Sequence, residues 1–530
     1  MEQVVLKITA SLVCSVLLCL ATTKALGVMQ QGGYKNKTFI KYLKRADNLF
    51  FNRLWVLSLC LFLATAVTSL CFFFLGGKGA NLISAIPFIG LLFLFLVTDK
   101  KYALKVEIRW TNRLKRLFIG YLFTTACISY IFIALLGFLN EVIGNAFYRL
   151  IAFTPFTVMP MLMPCLLVFS NGVLSFFEEQ NNKKYIKRAG QVFNQTEIIR
   201  IGVVGSYGKT SVKNILTTLL SEKYQVASTP KSYNTPLGIA KTVLSGEIQD
   251  KQIFIAEMGA RKTGDIATLC KIVQPDFAIF TGVTQQHIET FGNIENVFAE
   301  KSEILRFSKQ TVCGKTLQNF GVENSEKVTL LLDSYIQQVN LEAMRTAFVF
   351  SYEDKVFHVN TSLLGESAVE NIALCILLAI KLGLTEKEIE SGLAKLKPVE
   401  HRLCLTENAG VYILDDGYNA NKMGARVAVD QLMRFSGKKC LVTPGIVECG
   451  ILEEQINQEF GAYLADKGID LIILVGDTLV SIIKEGYKKA GGSEDKVQIV
   501  RTLKETQNIL ASWVETGACV LFLNDLPDVY

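Results

Sequence analysis

The segment Gly202-Val-Val-Gly205-Ser206-Tyr207-Gly208-Lys209-Thr210-Ser211 has the residue types that hold a phosphate chain. Glycines let backbone N–H groups close on phosphate oxygens. A helix that starts at the lysine adds the positive end of its dipole. Lys209 would then reach the β- and γ-phosphates, and the Thr210 hydroxyl would bind Mg²⁺. The glycines fall three apart, at 202, 205 and 208. The commoner phosphate loop, G-x-x-x-x-G-K-[ST], needs glycine at 203, where this chain has Val203.

Further chemistry-bearing residues follow in order. Glu257 ends the apolar run Ile253-Phe-Ile-Ala, where a strand's carboxyl end can present it to a metal beside the loop. His287, one of three histidines, lies in Gln285-Gln-His-Ile-Glu-Thr-Phe-Gly292 after the apolar run Phe277–Val283. Lys301 sits in Ala299-Glu-Lys-Ser-Glu303. Arg402 precedes a strand, Val411–Leu414, that ends in Asp415-Asp416-Gly-Tyr418-Asn419-Ala-Asn421.

The elements that must position these groups are an alternation of strands and helices. Ile199–Val204 reads as a buried strand running into the glycine loop. Val212, Ile215, Leu216, Leu219 and Leu220 recur at helical spacing after it. Gly365–Ile380 is a helix by periodicity and carries Asn371. Beyond residue 400 strands are expected at Cys440–Thr443, Leu471–Val475, Val497–Val500 and Cys519–Leu523, with helices near Glu453–Lys467 and Thr478–Ala490. This is the pattern of a doubly wound α/β domain.

The G-x-x-G-x-x-G-K-T spacing, Tyr233-Asn-Thr-Pro-Leu-Gly238, Glu257-Met-Gly-Ala260, the His287 segment and the Asp415–Asn421 segment together resemble the Mur ligase family, over roughly residues 195–523. The last segment is similar to the D-D-S-Y-N-A-N-P of the D-alanyl-D-alanine-adding member, with Gly417 for Ser and Lys422 for Pro. The resemblance implies an ATP-dependent, ADP-forming ligase joining a carboxylate to an amine. It implies Glu257 and His287 as ligands of two Mg²⁺ ions, with Thr210. Lys301 matches a lysine that several members carbamylate. Asn371 is implied to contact adenine, Asp416 the ribose, and Tyr418 and Asn419 to flank the nucleotide. Arg402 is implied to reach the phosphates from a mobile domain. The catalytic set is then Lys209, His287, Lys301 and Arg402, with Gly205–Ser211 holding the nucleotide. Glu366-Ser367 replaces the family's His-Asn near Asn371, and the chain runs to Asn524-Asp-Leu-Pro where the family has K-G-S.

The first 190 residues lie outside that resemblance. Residues 1–200 hold 22 Lys and Arg against 8 Asp and Glu, whereas the remainder holds 33 against 40. Half the chain is hydrophobic, and mean hydropathy is +0.33. Four uncharged stretches, 54–77, 79–98, 117–140 and 150–177, are long enough to cross a hydrocarbon core of about 30 Å, and 8–26 makes a fifth candidate. Pro155, Pro160 and Pro164 would kink the last. Basic residues cluster in alternate connections, at 35–53, 100–116 and 183–188, which by the positive-inside rule face the cytoplasm. The N-terminus is then outside, and everything after Phe177 is inside a bacterial cytoplasmic membrane. The thirteen cysteines form no Cys-x-x-Cys pair, which argues against a zinc ribbon or a disulfide framework.

The expected architecture is a multi-domain chain. It comprises an α-helical transmembrane bundle (1–180), a cytoplasmic linker (181–197), an α/β central ATP-binding domain (198–398) and a Rossmann-like α/β C-terminal domain (399–530). The expected partners are a small-molecule amine, a carboxylate acceptor and membrane lipids, with no nucleic acid. The main expectation is a membrane- or lipid-linked acceptor, because five spans stand where the family has a UDP-binding domain. The alternatives are a tethered ligase acting on the soluble UDP-linked tripeptide, and a non-catalytic scaffold.

Overall fold

The structure is a computed structural model that describes residues 2–44, 49–75, 90, 107–143, 147–284, 288–418, 421–447, 449–476 and 479–524. The chain divides into two units, one running to Asn181 and one from Asn182 to Asp525.

The described part of the first unit is helical: Glu2–Ala21, Thr23–Gln31, Asn36–Leu43, Leu49–Leu75, Asn112–Ile143 and the start of Phe147–Asn194. Glu2–Ala21 and Thr23–Gln31 meet at a 53° bend. Beside it the Thr22 hydroxyl donates to the Leu18 carbonyl (2.8 Å) and lies 2.9 Å from the Tyr121 hydroxyl. Leu18, Leu26, Met29, Leu117, Met163 and Leu167 pack inward, while Ile119, Phe123, Phe169, Phe176 and Phe177 are exposed. Among the described residues, Asn112–Leu135 and Thr157–Asn194 are long and apolar enough to cross a membrane, and the bent pair makes a third if counted as one span. Leu49–Leu75 contains nearly all of the stretch read at 54–77. Of the stretch read at 79–98, only Gly90 is among the described residues. Pro155, Pro160 and Pro164 lie within one continuous helix.

The residues read as a linker continue that helix to Asn194. Ala189 and Phe193 are buried in the core of the second unit, with the Phe193 ring 5.4 Å from that of Phe254. The second unit opens with a parallel sheet of β1 (Ile199–Val204), β2 (Val226–Ser228), β3 (Ile253–Glu257), β4 (Phe277–Phe280), β5 (Gln310–Cys313) and β6 (Val328–Leu330), in the order β2-β3-β1-β4-β5-β6. Side chains alternate across each strand. Ile201, Val203, Ile253, Ile255 and Ile279 face helices Lys209–Leu220 and Glu366–Lys381. Val204, Phe254, Ala256, Ala278 and Phe280 face helices Pro236–Leu244, Asp265–Val273 and Ile294–Phe307. Each buried Val, Ile or Phe among these stabilises the fold by about 1.5–3 kcal/mol. Cover on both faces is what a parallel sheet requires.

An antiparallel sheet, β7 (Ile336–Leu341), β8 (Thr346–Tyr352) and β9 (Lys355–Thr361), follows; sequence reading had passed over it. Its Phe348, Phe350, Phe357 and Val359 join the first core. The last sheet holds β10 (Cys404–Asn408), β11 (Val411–Asp416), β12 (Lys439–Thr443), β13 (Leu471–Val475), β14 (Val497–Val500) and β15 (Cys519–Leu523), in the order β10-β11-β15-β12-β13-β14. Only the β10–β11 hairpin is antiparallel. The doubly wound reading holds there, with β11 extended to carry Asp415 and Asp416 at its end.

Candidate active site

The phosphate loop joins β1 to helix Lys209–Leu220, whose N-cap Gly208 takes φ +72°. That left-handed conformation favours glycine. A Cβ at Gly208 would also collide with the Asn371 amide, and one at Gly205 with the Thr281 hydroxyl. Gly202 has a different reason. A Cβ there would sit 3.1 Å from Ile304 and 3.2 Å from Met258, so this glycine admits helix Ile294–Phe307 close to β1. Thr281 donates to the Tyr207 carbonyl (2.6 Å), and the Ser206 N–H donates to the Gly282 carbonyl (2.9 Å). The loop is therefore braced from β4.

The Lys209 ammonium donates to the Gly205 carbonyl at 2.8 Å. Burial pushes this amine down to about 8; Glu257 opposes that shift and Arg402 adds to it. Thr210 donates to Glu257 Oε2 (2.9 Å), and Asn234 Nδ2 donates to Oε1 (3.1 Å). A hydroxyl and a carboxylate side by side at the loop are hard oxygen donors of the kind Mg²⁺ takes, so this pair fits the expected ion. Lys301 is 2% exposed. Its amine is pushed down to about 7, first by burial and then by Lys209.

Arg402 comes from the other domain and has reached the same place. Its guanidinium lies 4.1 Å over the Tyr418 ring and donates to the Tyr418 carbonyl (3.3 Å). Its neighbours His401 and Leu403 have φ of +60° and +47°. This turn is held by the Leu403 N–H on Asp416 (3.1 Å) and by His401 Nδ1 against Asp415 (2.7 Å). Burial raises the Asp416 carboxyl to about 6, against the pull of Arg402. The two domains meet directly: Gln431 Nε2 donates to the carbonyls of Glu342 and Ala343.

Ser206, Tyr207, Gly208, Lys209, Thr210, Ser211, Glu257, Lys301, Asn371, Arg402, Asp416 and Tyr418 all line one cavity of about 1080 Å³. Gly205 is buried beneath it. His287 and Asn419 lie outside the described residues. Sequence reading missed Lys213, which is 1% exposed and lies 3.4 Å from Glu257 Oε2. The signal was present, because position 213 falls among the apolar positions 212, 215 and 216 of the loop helix.

Comparison with known proteins agrees with this geometry. The Mur ligase middle domain matches residues 203–379. The UDP-N-acetylmuramoyl-tripeptide–D-alanyl-D-alanine ligase of Bacillus subtilis is 28% identical over 355 residues, which cover 65% of this chain and 75% of that protein. The Escherichia coli protein of the same name is 28% identical over 294 residues, covering 52% and 64%. The MurF ligase of Thermotoga maritima, solved in complex with ADP, superposes with a TM-score of 0.58 at 27% identity, covering 66% of this chain and 81% of that one. A MurF structure from Acinetobacter baumannii shares the fold, with a TM-score of 0.59 at 24% identity over 65% and 77%.

Fold and matches together define the class, an ATP-dependent, ADP-forming acid–amino-acid ligase. Its middle domain is similar to that of the Mur ligases, and the likeness runs to the D-alanyl-D-alanine-adding ligases.

Proposed function

We propose that this chain activates the terminal carboxylate of a UDP-N-acetylmuramoyl tripeptide with ATP and joins it to the amine of D-alanyl-D-alanine, as a multi-pass protein of a bacterial cytoplasmic membrane with its catalytic domains inside. One observation carries the reading. The phosphate loop, Glu257 and Lys301 of one domain share a cavity with Arg402 and Asp416 of the next, in a chain similar to ligases named for that reaction. Outward-facing Phe123, Phe169 and Phe177 on long apolar helices support the membrane placement.

The acceptor carboxylate attacks the γ-phosphorus, the bond to the β–γ bridging oxygen breaks, and ADP leaves. The amine nitrogen then attacks the acyl-phosphate carbonyl, loses a proton and displaces phosphate. Lys209 and Arg402 place positive charge on the transferring phosphoryl group. Thr210 and Glu257 would hold Mg²⁺, which would supply further positive charge beside the phosphates. Asn371, which lies against Gly208, would meet the adenine, and Asp416 would take the ribose. A second Mg²⁺ on His287 is part of this reading, as is a carbamate on Lys301. Docking of the C-terminal domain excludes the water that would hydrolyse the acyl phosphate.

The apolar first unit favours a second reading, in which the acceptor is lipid-linked. Purified protein given ATP, D-alanyl-D-alanine and either UDP-linked tripeptide or its lipid-linked counterpart decides between them, with ADP release and product mass followed. Turnover on the lipid-linked acceptor alone would replace the first reading with the second. A lack of turnover with either, together with full in vivo function of Lys209→Ala, would leave a scaffold.

A further inference from the structure

Lys213 is the buried cation of the site that the mechanism leaves unused. It lies on the loop helix one turn beyond Lys209 and touches two things. Its ammonium is 3.4 Å from Glu257 Oε2, and it donates to the backbone carbonyl of Lys231. Lys231 stands at φ +48°, a left-handed turn that a lysine rarely adopts. That turn begins the segment whose Ser232, Asn234 and Thr235 line the cavity away from the phosphate loop. The same segment returns to the carboxylate through Asn234 Nδ2 on Glu257 Oε1 (3.1 Å), and the Gly259 N–H donates to the Asn234 carbonyl (2.8 Å). A Cβ at Gly259 would press on the Asn234 amide at 2.8 Å, so these two chains are in close contact.

We propose that Lys213 is a positioning residue that couples the Glu257 carboxylate to the 231–235 segment, so that cation binding at Glu257 and the order of the acceptor wall depend on one another. The physical reason is charge. A buried ammonium is costly unless paired, and Glu257 is the carboxylate within its reach. A divalent cation drawn to Glu257 repels the Lys213 ammonium. The other contact of that ammonium, the Lys231 carbonyl, then takes a larger share of its hydrogen bonding. The assignment of the 231–235 segment to the acceptor rests on the proposed function; the coupling itself does not.

Hydrogen–deuterium exchange of residues 229–235 in substrate-free protein, with and without Mn²⁺, tests the coupling directly. The wild-type segment should change its exchange rate by about threefold or more on adding Mn²⁺, whereas in Lys213→Met it should exchange about tenfold faster and no longer respond. Lys213→Gln keeps a donor for Lys231 but no charge for Glu257. It should retain slow exchange and lose the Mn²⁺ response. In turnover, Lys213→Met should raise KM for the acceptor by about tenfold and KM for ATP by less than about threefold. Unchanged exchange in both variants would overturn the proposal, as would equal rises in the two KM values. If neither variant folds while Lys213→Arg is folded and fully active, Lys213 is a packing residue and the proposal fails. A wild-type protein inert toward the UDP-linked tripeptide would sink the functional reading while leaving the exchange result standing.

Discussion

Glu300 and Lys301 are consecutive residues of helix Ile294–Phe307 and serve two different places. The Glu300 carboxylate accepts the backbone N–H groups of Gly264 and Ile266, each at 2.7 Å, and so caps helix Asp265–Val273. Lys301 lines the cavity, with no hydrogen-bond partner among the described residues. The capping contact and the cavity-lining amine therefore stand on adjacent positions of one helix.

An amine held at about 7 is largely neutral at pH 8, the form that adds to CO₂ and releases a proton to give a carbamate. Protein equilibrated with ¹³C-bicarbonate at pH 8 should show a carbamate resonance that fades toward pH 6 and is absent in Lys301→Met. The sign for stability is the reverse of that for function. The folded-state value lies below the ordinary 10.5, so the lysine costs stability in full below about pH 7, and the cost falls away as pH rises toward 10.5. Lys301→Met should therefore raise stability at pH 7 by about 2–4 kcal/mol while abolishing ligation. A destabilised variant in denaturant melts would contradict this.

Gly202 and Gly208 should fail differently when each is changed to alanine. Gly202→Ala forces Ile304 and Met258 outward and should cost about 1–3 kcal/mol, with a fall in kcat because helix Ile294–Phe307 carries Lys301. Gly208→Ala meets both a left-handed φ and the Asn371 amide. It should weaken nucleotide binding by about tenfold or more with a smaller loss of stability. Calorimetric titration with ADP alongside thermal melts separates the two patterns.

Which parts of this were legible in the sequence follows from what each signal is made of. The strands β1, β3 and β4 are short apolar runs punctuated by glycines and carboxylates, so Ile199–Val204 and Glu257 were readable from local order alone. The β7–β9 sheet was not read. Its alternation is interrupted by Gln337, Gln338 and Asn340, and β7 is irregular against β8 between Gln337 and Asn340. The helical course of 181–194 is not legible in the sequence because Lys183, Lys184, Lys187 and Arg188 mask the apolar pair Ala189 and Phe193, four apart on one buried face. Convergence of Arg402 and Lys301 on one cavity is a tertiary fact that spacing alone does not contain. It was reachable only through the resemblance. Lys213 stands on the apolar face of the loop helix, a sign of burial, but what it serves is not legible until its carboxylate partner is known.

Glu370 adjoins Asn371 on its helix and is held apart from water, with Oε1 lacking a hydrogen-bond partner. Burial raises its carboxyl to about 7, against the pull of Lys315. A raised carboxyl means the ionised form is disfavoured in the fold. The cost is full above about pH 7 and disappears as pH falls toward the ordinary 4.5. Glu370→Gln should stabilise the protein by about 1–3 kcal/mol at pH 8 and change little at pH 5. Urea melts at the two pH values check this. Equal effects at both would show that the carboxyl stays ionised throughout.

Arg402 is a cation that the C-terminal domain brings into the cavity, and its setting is specific to a guanidinium. The planar group stacks 4.1 Å over Tyr418 and donates in its own plane to the Tyr418 carbonyl. An ammonium lacks the flat face and in-plane fork that make both contacts at once. Arg402→Lys should therefore lower kcat almost as far as Arg402→Ala, by about 10²–10³-fold, while ATP binding weakens much less, because Lys209 and the loop remain. Tyr418→Leu removes the stacking surface but keeps the carbonyl, and should give a smaller fall of about tenfold. The left-handed turn at His401 and Leu403 is the frame for this side chain, and Asp416 ties it down at the Leu403 N–H. Asp416→Asn keeps an acceptor for that N–H but removes the opposing charge. If Arg402 acts by charge at the phosphates, Arg402→Ala and Arg402→Ala/Asp416→Asn should have nearly equal kcat at saturating ATP, with the ribose contact of Asp416 appearing in KM for ATP. Multiplicative losses in kcat would instead give Asp416 a part in the chemical step that does not run through Arg402.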